Sequence, residues 1–164
     1  MGTFSRSESG PVPDADASLA ELFASEREGM VRMATLLVDS AAMAEEIVQE
    51  SFIAVRERWD EIDRPGAYLR TTVVNGCSAA LRRRSVEERF QRGLQEPRFE
   101  LLPTRLVELR EALGCLSERQ RVVVVLRYFV DVSDHDIAHQ IEVRPSTVRS
   151  LRRRALSVLR KELS

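Results

Sequence analysis

Apolar residues return every three or four positions over most of this chain, a period that predicts helices rather than strands. Leu19, Leu22, Phe23, Met30, Met33, Leu36 and Leu37 mark a first helix over 18–38, opened by Ser18 and broken at Asp39 and Ser40. Ile47, Val48, Phe52, Val55 and Trp59 mark a second over 41–59. Asp63 followed by Pro65 starts a third, because proline suits the first turn, where its missing N–H is not needed. That helix runs to 84, with Tyr68, Leu69, Val73, Cys77, Ala80 and Leu81 on its apolar side. The period is lost over 85–102, which hold Gly93, Pro97 and dense mixed charge. It returns over 104–113. Ser117-Glu118-Arg119-Gln120 then reads as a capping box opening a helix to 130: serine accepts from the third residue's N–H and glutamine reaches back. Val122 to Val125 are β-branched, yet the cap and the length favour a buried helix. Ser133-Asp134-His135-Asp136 opens a short helix in the same way, and a turn at Glu142 leads to a longer one from Pro145.

This pattern predicts an all-α protein of two small helical domains: a disordered leader over 1–16, a first domain over 17–84, a flexible linker over 85–102 and a second domain over 103–164. Aromatics are only 5% of residues, so the cores must be built from Leu, Val, Ile, Met and Ala. No apolar run approaches the ~20 residues that span a bilayer. No basic segment followed by an apolar one marks a secretory signal, so a cytoplasmic chain is expected. Cys77 and Cys115 have no Cys or His neighbour at metal-ligand spacing and read as reduced, small apolar residues. His135 and His139 are four apart on one short helix, but no third ligand joins them, and they read as exposed helix residues. No catalytic pair, glycine phosphate loop or metal set is present, so no enzyme, metal or cofactor is expected.

Charge sharpens the picture. The chain is nearly neutral at −1, yet its charges are sorted by segment. Residues 31–63 hold three Arg against eight acids, and 64–84 hold five Arg and no acid. Arg144, Arg149, Arg152, Arg153, Arg154, Arg160 and Lys161 crowd the last helix with no acid among them. A short helix, a tight turn and a basic second helix form a helix-turn-helix, which can place side chains in the major groove and on phosphates. DNA suits the basic segments. The acidic helix needs a protein partner with a basic or donor-rich surface.

Four motifs in order carry a family resemblance. They are Ala44-Glu45-Glu46-Ile47-Val48-Gln49-Glu50-Ser51-Phe52; Ala67-Tyr68-Leu69-Arg70-Thr71-Thr72-Val73-Val74-Asn75 with Arg82-Arg83-Arg84; Leu116-Ser117-Glu118-Arg119-Gln120-Arg121 with Leu126-Arg127-Tyr128-Phe129; and Asp136-Ile137-Ala138 with Ser146-Thr147-Val148-Arg149-Ser150. Over residues 18–163 the chain resembles the extracytoplasmic-function sigma factors of bacteria (group 4 of the sigma-70 class), and Val-Val-Asn-Gly-Cys-Ser is similar to an actinobacterial branch. Family members usually carry Asp where this chain has Ala79, and Gly in the helix-turn-helix turn where it has Glu142, a poor residue at positive φ.

The resemblance implies a promoter-specificity subunit without chemistry of its own. Glu46, Ile47, Val48, Gln49, Glu50 and Phe52 would bind core RNA polymerase. Tyr68, Arg70, Thr71, Asn75, Arg82, Arg83 and Arg84 would take the −10 element. Arg144, Ser146, Thr147, Arg149, Ser150, Arg153 and Arg154 would take the −35 element, with Arg149, Ser150, Arg153 and Arg154 as one stripe and Arg160 on phosphate. Core RNA polymerase and promoter DNA are the implied partners, and an anti-sigma factor would be a third. Two other classes are compatible with the residues: a stand-alone helix-turn-helix regulator, and a sigma mimic that occupies an anti-sigma factor.

Overall fold

The computed structural model describes residues 15–90 and 104–164. Among these residues seven helices follow in order: α1 (Ala15–Val38), α2 (Ala41–Glu57), α3 (Pro65–Phe90), α4 (Thr104–Gly114), α5 (Glu118–Tyr128), α6 (Asp134–Gln140) and α7 (Pro145–Glu162), with one 3-10 turn at Trp59–Glu61. There is no strand among the described residues, as the period predicted. The expected leader falls almost wholly outside them. The third helix runs six residues past its expected end, so the stretch expected as linker is helical to Phe90, and its remainder lies outside the described residues.

The capping chemistry sets the helix starts. Ser117 Oγ accepts from the Gln120 N–H at 3.4 Å while the Ser117 N–H donates to Gln120 Oε1 at 3.0 Å. Ser133 Oγ accepts from the Asp136 N–H at 3.1 Å, and its hydroxyl donates to the Asp136 carboxylate at 2.7 Å. Ser40 caps α2 by accepting from the Met43 N–H. Pro65 and Pro145 stand at the first positions of α3 and α7. Three helix ends reverse through the left-handed region: Asp39 at φ 56, Asp131 at φ 56 and Glu142 at φ 54.

α1, α2 and α3 pack on one another; α5, α6 and α7 form a second unit with α4 against α7; and α5 meets α1 and α3. The core is aliphatic. Met33, Leu37, Val48, Val55, Leu69, Val73 and Val74 fill the first unit, and Leu113, Val123, Leu126, Ile137, Val148 and Ala155 the second. Burial of each Leu or Val side chain is worth about 1.5–3 kcal/mol. All of Val122 to Val125 are inside, so the β-branched run is a buried helix. Burial pushes the Cys77 thiol up to about 12, leaving it protonated and inert at neutral pH. Phe23, expected in the core, is 43% exposed; its ring lies 4.9 Å from that of Phe52, with the Arg27 guanidinium 5.8 Å from its centre.

At Gly76, α3 lies close against α2. A Cβ there would stand 2.7 Å from Ile47 Cγ2, a branched methyl that cannot swing aside. Gly76→Val should therefore lower stability by about 2–3 kcal/mol, the range of core overpacking. Thermal melts of the Gly76→Val, Ile47→Ala and double variants check this: the double variant should lose less than the sum of the singles. Glu142 is the reverse case. A left-handed non-glycine residue carries about 1–2 kcal/mol of strain. Glu142→Gly should raise stability by up to about 1 kcal/mol after glycine's larger unfolded-state entropy is allowed for, read as an upward shift in Tm.

Candidate nucleic-acid interface

α7 carries the strongest positive surface. Arg149, Arg153, Leu156 and Arg160 share one face, because steps of four, seven and eleven residues return within about 40° on a helix. With Ser146, Ser150, Arg152 and Tyr128 from the end of α5, they line one concavity. Val148, Ala155 and Leu159 bury the opposite side. Arg154 does not belong to the stripe: five residues turn about 500°, which leaves it roughly 140° away from Arg149. It is exposed, but elsewhere. Arg160, expected only near phosphate, lies on the Arg149 face. Arg144 is the N-cap of α7 and makes no side-chain cap bond; it and Ser146 are exposed, and Thr147 is half-buried. Arg152 is tied into the fold, its Nη1 donating to both carboxylate oxygens of Asp134 at 2.6 and 2.9 Å. That pair fixes α6 against α7 and so sets the angle at which α7 is presented.

On α3, Tyr68, Asn75 and Arg82 fall within about 40° of one another, with Thr71 and Arg83 about 60° to either side. Ala79 lies on this face, where the family pattern would place a carboxylate. Asn75, Arg82 and Arg83 are exposed. The Thr71 hydroxyl donates to the Ala67 carbonyl at 3.0 Å. Tyr68 is half-buried against the core, and Arg58 donates to its hydroxyl at 3.1 Å from a position 5.6 Å over its ring. Arg58 is raised above its ordinary value by hydrogen bonds to Glu61 and then to Tyr68. Arg70 and Arg84 sit on the far side of α3, some 160° from Tyr68. Arg70 Nε is buried without a hydrogen-bond partner, and Arg84 is near enough to Arg121 for the two charges to repel. The expected −10 set is thus divided between two faces.

α2 corrects a further expectation. Ile47, Val48 and Phe52 are 6%, 2% and 6% exposed and pack inside the first unit, so they offer a partner no surface. The outer face holds Glu45, Glu46, Gln49, Glu50, Arg56 and Glu57, with Ile53, 50% exposed, as its large apolar residue. Ile53 follows Glu46 and Gln49 at helical spacing, a signal already present in the sequence. Among the described residues no cluster of His, Cys, Asp or Glu could hold a metal ion, and no helix is long and apolar enough to cross a membrane.

Two family models match the chain: Sigma-70 region 2 over residues 22–86, and Sigma-70 region 4 over residues 106–159. An RNA polymerase sigma-E factor from Streptomyces antibioticus is 30% identical over 149 residues, covering 87% of this chain and 83% of that protein. One from Streptomyces avermitilis is 30% identical over 143 residues, covering 84% and 80%. Among solved structures, the sigma factor RpoE of Bartonella quintana, in complex with the anti-sigma factor NepR, superposes with a TM-score of 0.78 at 21% identity, covering 89% of this chain and 96% of that one. CnrH, in complex with the cytosolic domain of CnrY, superposes with a TM-score of 0.68 at 21% identity, covering 92% and 90%. The chain belongs to the sigma-70 family, as an extracytoplasmic-function member, with both regions in order. It is an alternative sigma factor, which directs RNA polymerase to promoters.

The α7 geometry separates three arginines. Arg149→Ala should cost about 1–3 kcal/mol of promoter binding and relax preference at one position of the upstream element. Arg160→Ala, eleven residues along the same face, should weaken all sequences evenly and lower the salt slope by about one. Arg154→Ala should change binding least. Reconstituted holoenzyme, titrated against mutated upstream elements at several salt concentrations, reads all three.

Proposed function

We propose a division of labour among three helix faces. The outer face of α2, with Glu46, Gln49, Glu50 and Ile53, docks on core RNA polymerase. The α3 face of Tyr68, Thr71, Asn75, Arg82 and Arg83 takes the −10 element. The α7 face of Arg149, Ser150 and Arg153, with Ser146 and Thr147 at its start, reads the −35 element, and Arg160 further along that face takes phosphate. The single observation that carries this reading is the sorting of charge by exposed face. Two basic helix faces stand on one chain beside an acidic one that carries a large exposed isoleucine.

The physics supports each assignment. Arginine is the commonest specific partner of guanine in the major groove, and α7 presents exposed arginines on a helix that an α6 ion pair holds in place. Single-stranded DNA is held by aromatic stacking beside cations, and Tyr68 and Arg82 share a face of α3. Glu46 and Glu50 are like charges four residues apart, a pairing that costs a few tenths of a kcal/mol in an isolated helix and that a basic partner offsets. An anti-sigma factor is a further partner on this reading, since the Bartonella quintana RpoE described above is held by one.

The α2 assignment is the most readily tested. Ile53→Ala combined with Glu50→Ala should weaken capture of core polymerase about tenfold or more and leave the thermal melt within about 1 kcal/mol of the parent, because both side chains are exposed. Phe52→Ala should instead lower stability by about 3–5 kcal/mol, because its ring is buried. Unchanged capture by the Ile53 and Glu50 variant would contradict the assignment.

A further inference from the structure

The chain has two tyrosines, and they are held in opposite ways. Tyr68 is half-buried, its hydroxyl accepts from Arg58 at 3.1 Å, and the same guanidinium covers its ring. Tyr128 is the last residue of α5 and is 55% exposed. Among the described residues its hydroxyl has no hydrogen-bond partner, and no guanidinium is stacked on its ring. Yet it lines the α7 concavity together with Arg149, Arg153 and Arg160. A single exposed aromatic is ordinary on a protein surface. An unpartnered phenol set among arginines, none of which uses it, is free for the ligand those arginines serve.

The backbone beneath Tyr128 is fixed. Val122 to Leu126 are buried on the turn before it. The Phe129 N–H donates to the Val125 carbonyl at 3.0 Å, and the Val132 N–H donates to the Leu126 carbonyl at 2.9 Å. Arg127 Nη1 donates to Asp131 Oδ1 at 2.9 Å and to the Val132 carbonyl at 3.4 Å. A tyrosine ring turns about only two side-chain torsions, so little entropy is lost when it is held in a contact. The phenol is thus presented from a set position beside α7.

Groove dimensions decide what it can touch. The major groove is about 12 Å wide, and a helix with its side chains is about 10–12 Å across, so α7 alone fills it. α5 packs along α7, and a side chain from that second helix meets the wall of the groove, not its floor. The wall is sugar and phosphate. A duplex seated on Arg149 and Arg153 also covers Tyr128 and strips water from its hydroxyl, which is unfavourable unless a new acceptor is found. A phosphate oxygen is the acceptor at hand, and a hydrogen bond to a charged acceptor is among the stronger ones. We propose that Tyr128 is a positioning residue of the upstream-element interface. Its phenolic O–H donates to one backbone phosphate and its ring packs on the adjoining deoxyribose, which fixes how α7 sits in the groove. This rests on the assignment of α7 to the −35 element and adds to it a contact from outside α7.

Holoenzyme reconstituted with Tyr128→Phe, Tyr128→Ala or Arg149→Ala, titrated against duplexes carrying the upstream element, tests the contact. Tyr128→Phe should bind about tenfold more weakly, by the same factor on every mutated element. Its salt slope should equal that of the parent, because a neutral donor releases no counterion. Its thermal melt should also match the parent, since the hydroxyl has no partner to lose. Tyr128→Ala should lose more binding, because the ring contact goes as well; if it does not fold, Tyr128→Phe carries the comparison. Methylphosphonate replacement of one phosphate at a time locates the acceptor: at one position its loss and that of Tyr128→Phe should fall short of additive, and elsewhere they should add. Tyr128→Phe binding as tightly as the parent overturns the proposal. So does a loss confined to one base substitution, or one that adds to every phosphate replacement. A parent holoenzyme that does not select the upstream element, or that is indifferent to Arg149→Ala, contradicts the α7 assignment and takes the proposal with it. A parent that needs Arg149 but not the Tyr128 hydroxyl contradicts the proposal alone.

Discussion

Three chain reversals through the left-handed region set the directions of α2, α6 and α7. Asp39 turns α1 into α2, Asp131 turns α5 towards α6, and Glu142 turns α6 into α7. None of them is glycine, so each carries strain that the surrounding structure must hold in place. Local bonds do so. The Asp39 N–H donates to the Thr35 carbonyl at 2.9 Å, the Val132 N–H reaches back to Leu126 O at 2.9 Å, and the Val143 N–H reaches Ala138 O at 2.9 Å. Aspartate tolerates this backbone better than glutamate, which makes Glu142 the most strained of the three. The angle between α6 and α7 depends on that turn, with the Arg152–Asp134 pair as its second restraint.

Core chemistry and surface chemistry are largely divided. With so few aromatics, the interior is close-packed from Val, Leu, Met and Ala, and Gly76 allows α3 to meet Ile47 of α2 without a Cβ between them. The charged side chains are left for the outer faces of α2, α3 and α7. A sigma factor must offer different chemistry to a protein and to DNA at the same time. One helix with an acidic outer face and two with basic outer faces meet that need on a single small scaffold.

Much of this was legible in the sequence. The Ser117–Gln120 box, Pro65 and Pro145 mark helix starts by hydrogen-bonding chemistry that acts within four residues, so they could be read without a fold. The helix-turn-helix and the two regions followed from motif order. Side-chain direction was harder. Ile47, Val48 and Phe52 belong to a continuous motif, but a helix turns about 100° per residue, so neighbours in a motif face different ways. The same arithmetic separates Arg154 from Arg149 and Arg84 from Tyr68. The contacts of Asp39 with Arg110 and of Leu37 with Arg121 carried no local signal, because they join residues far apart in the chain and depend on how the two regions pack.

On the function proposed above, this chain confers promoter choice on RNA polymerase through two separate DNA-reading faces. The most direct measurement adds the purified protein to core polymerase and maps transcription start sites across a genomic fragment library. The expected starts need both proteins and share an upstream and a downstream element at one fixed spacing. Specific binding of duplex DNA by the chain alone, with no starts added to core polymerase, would contradict it.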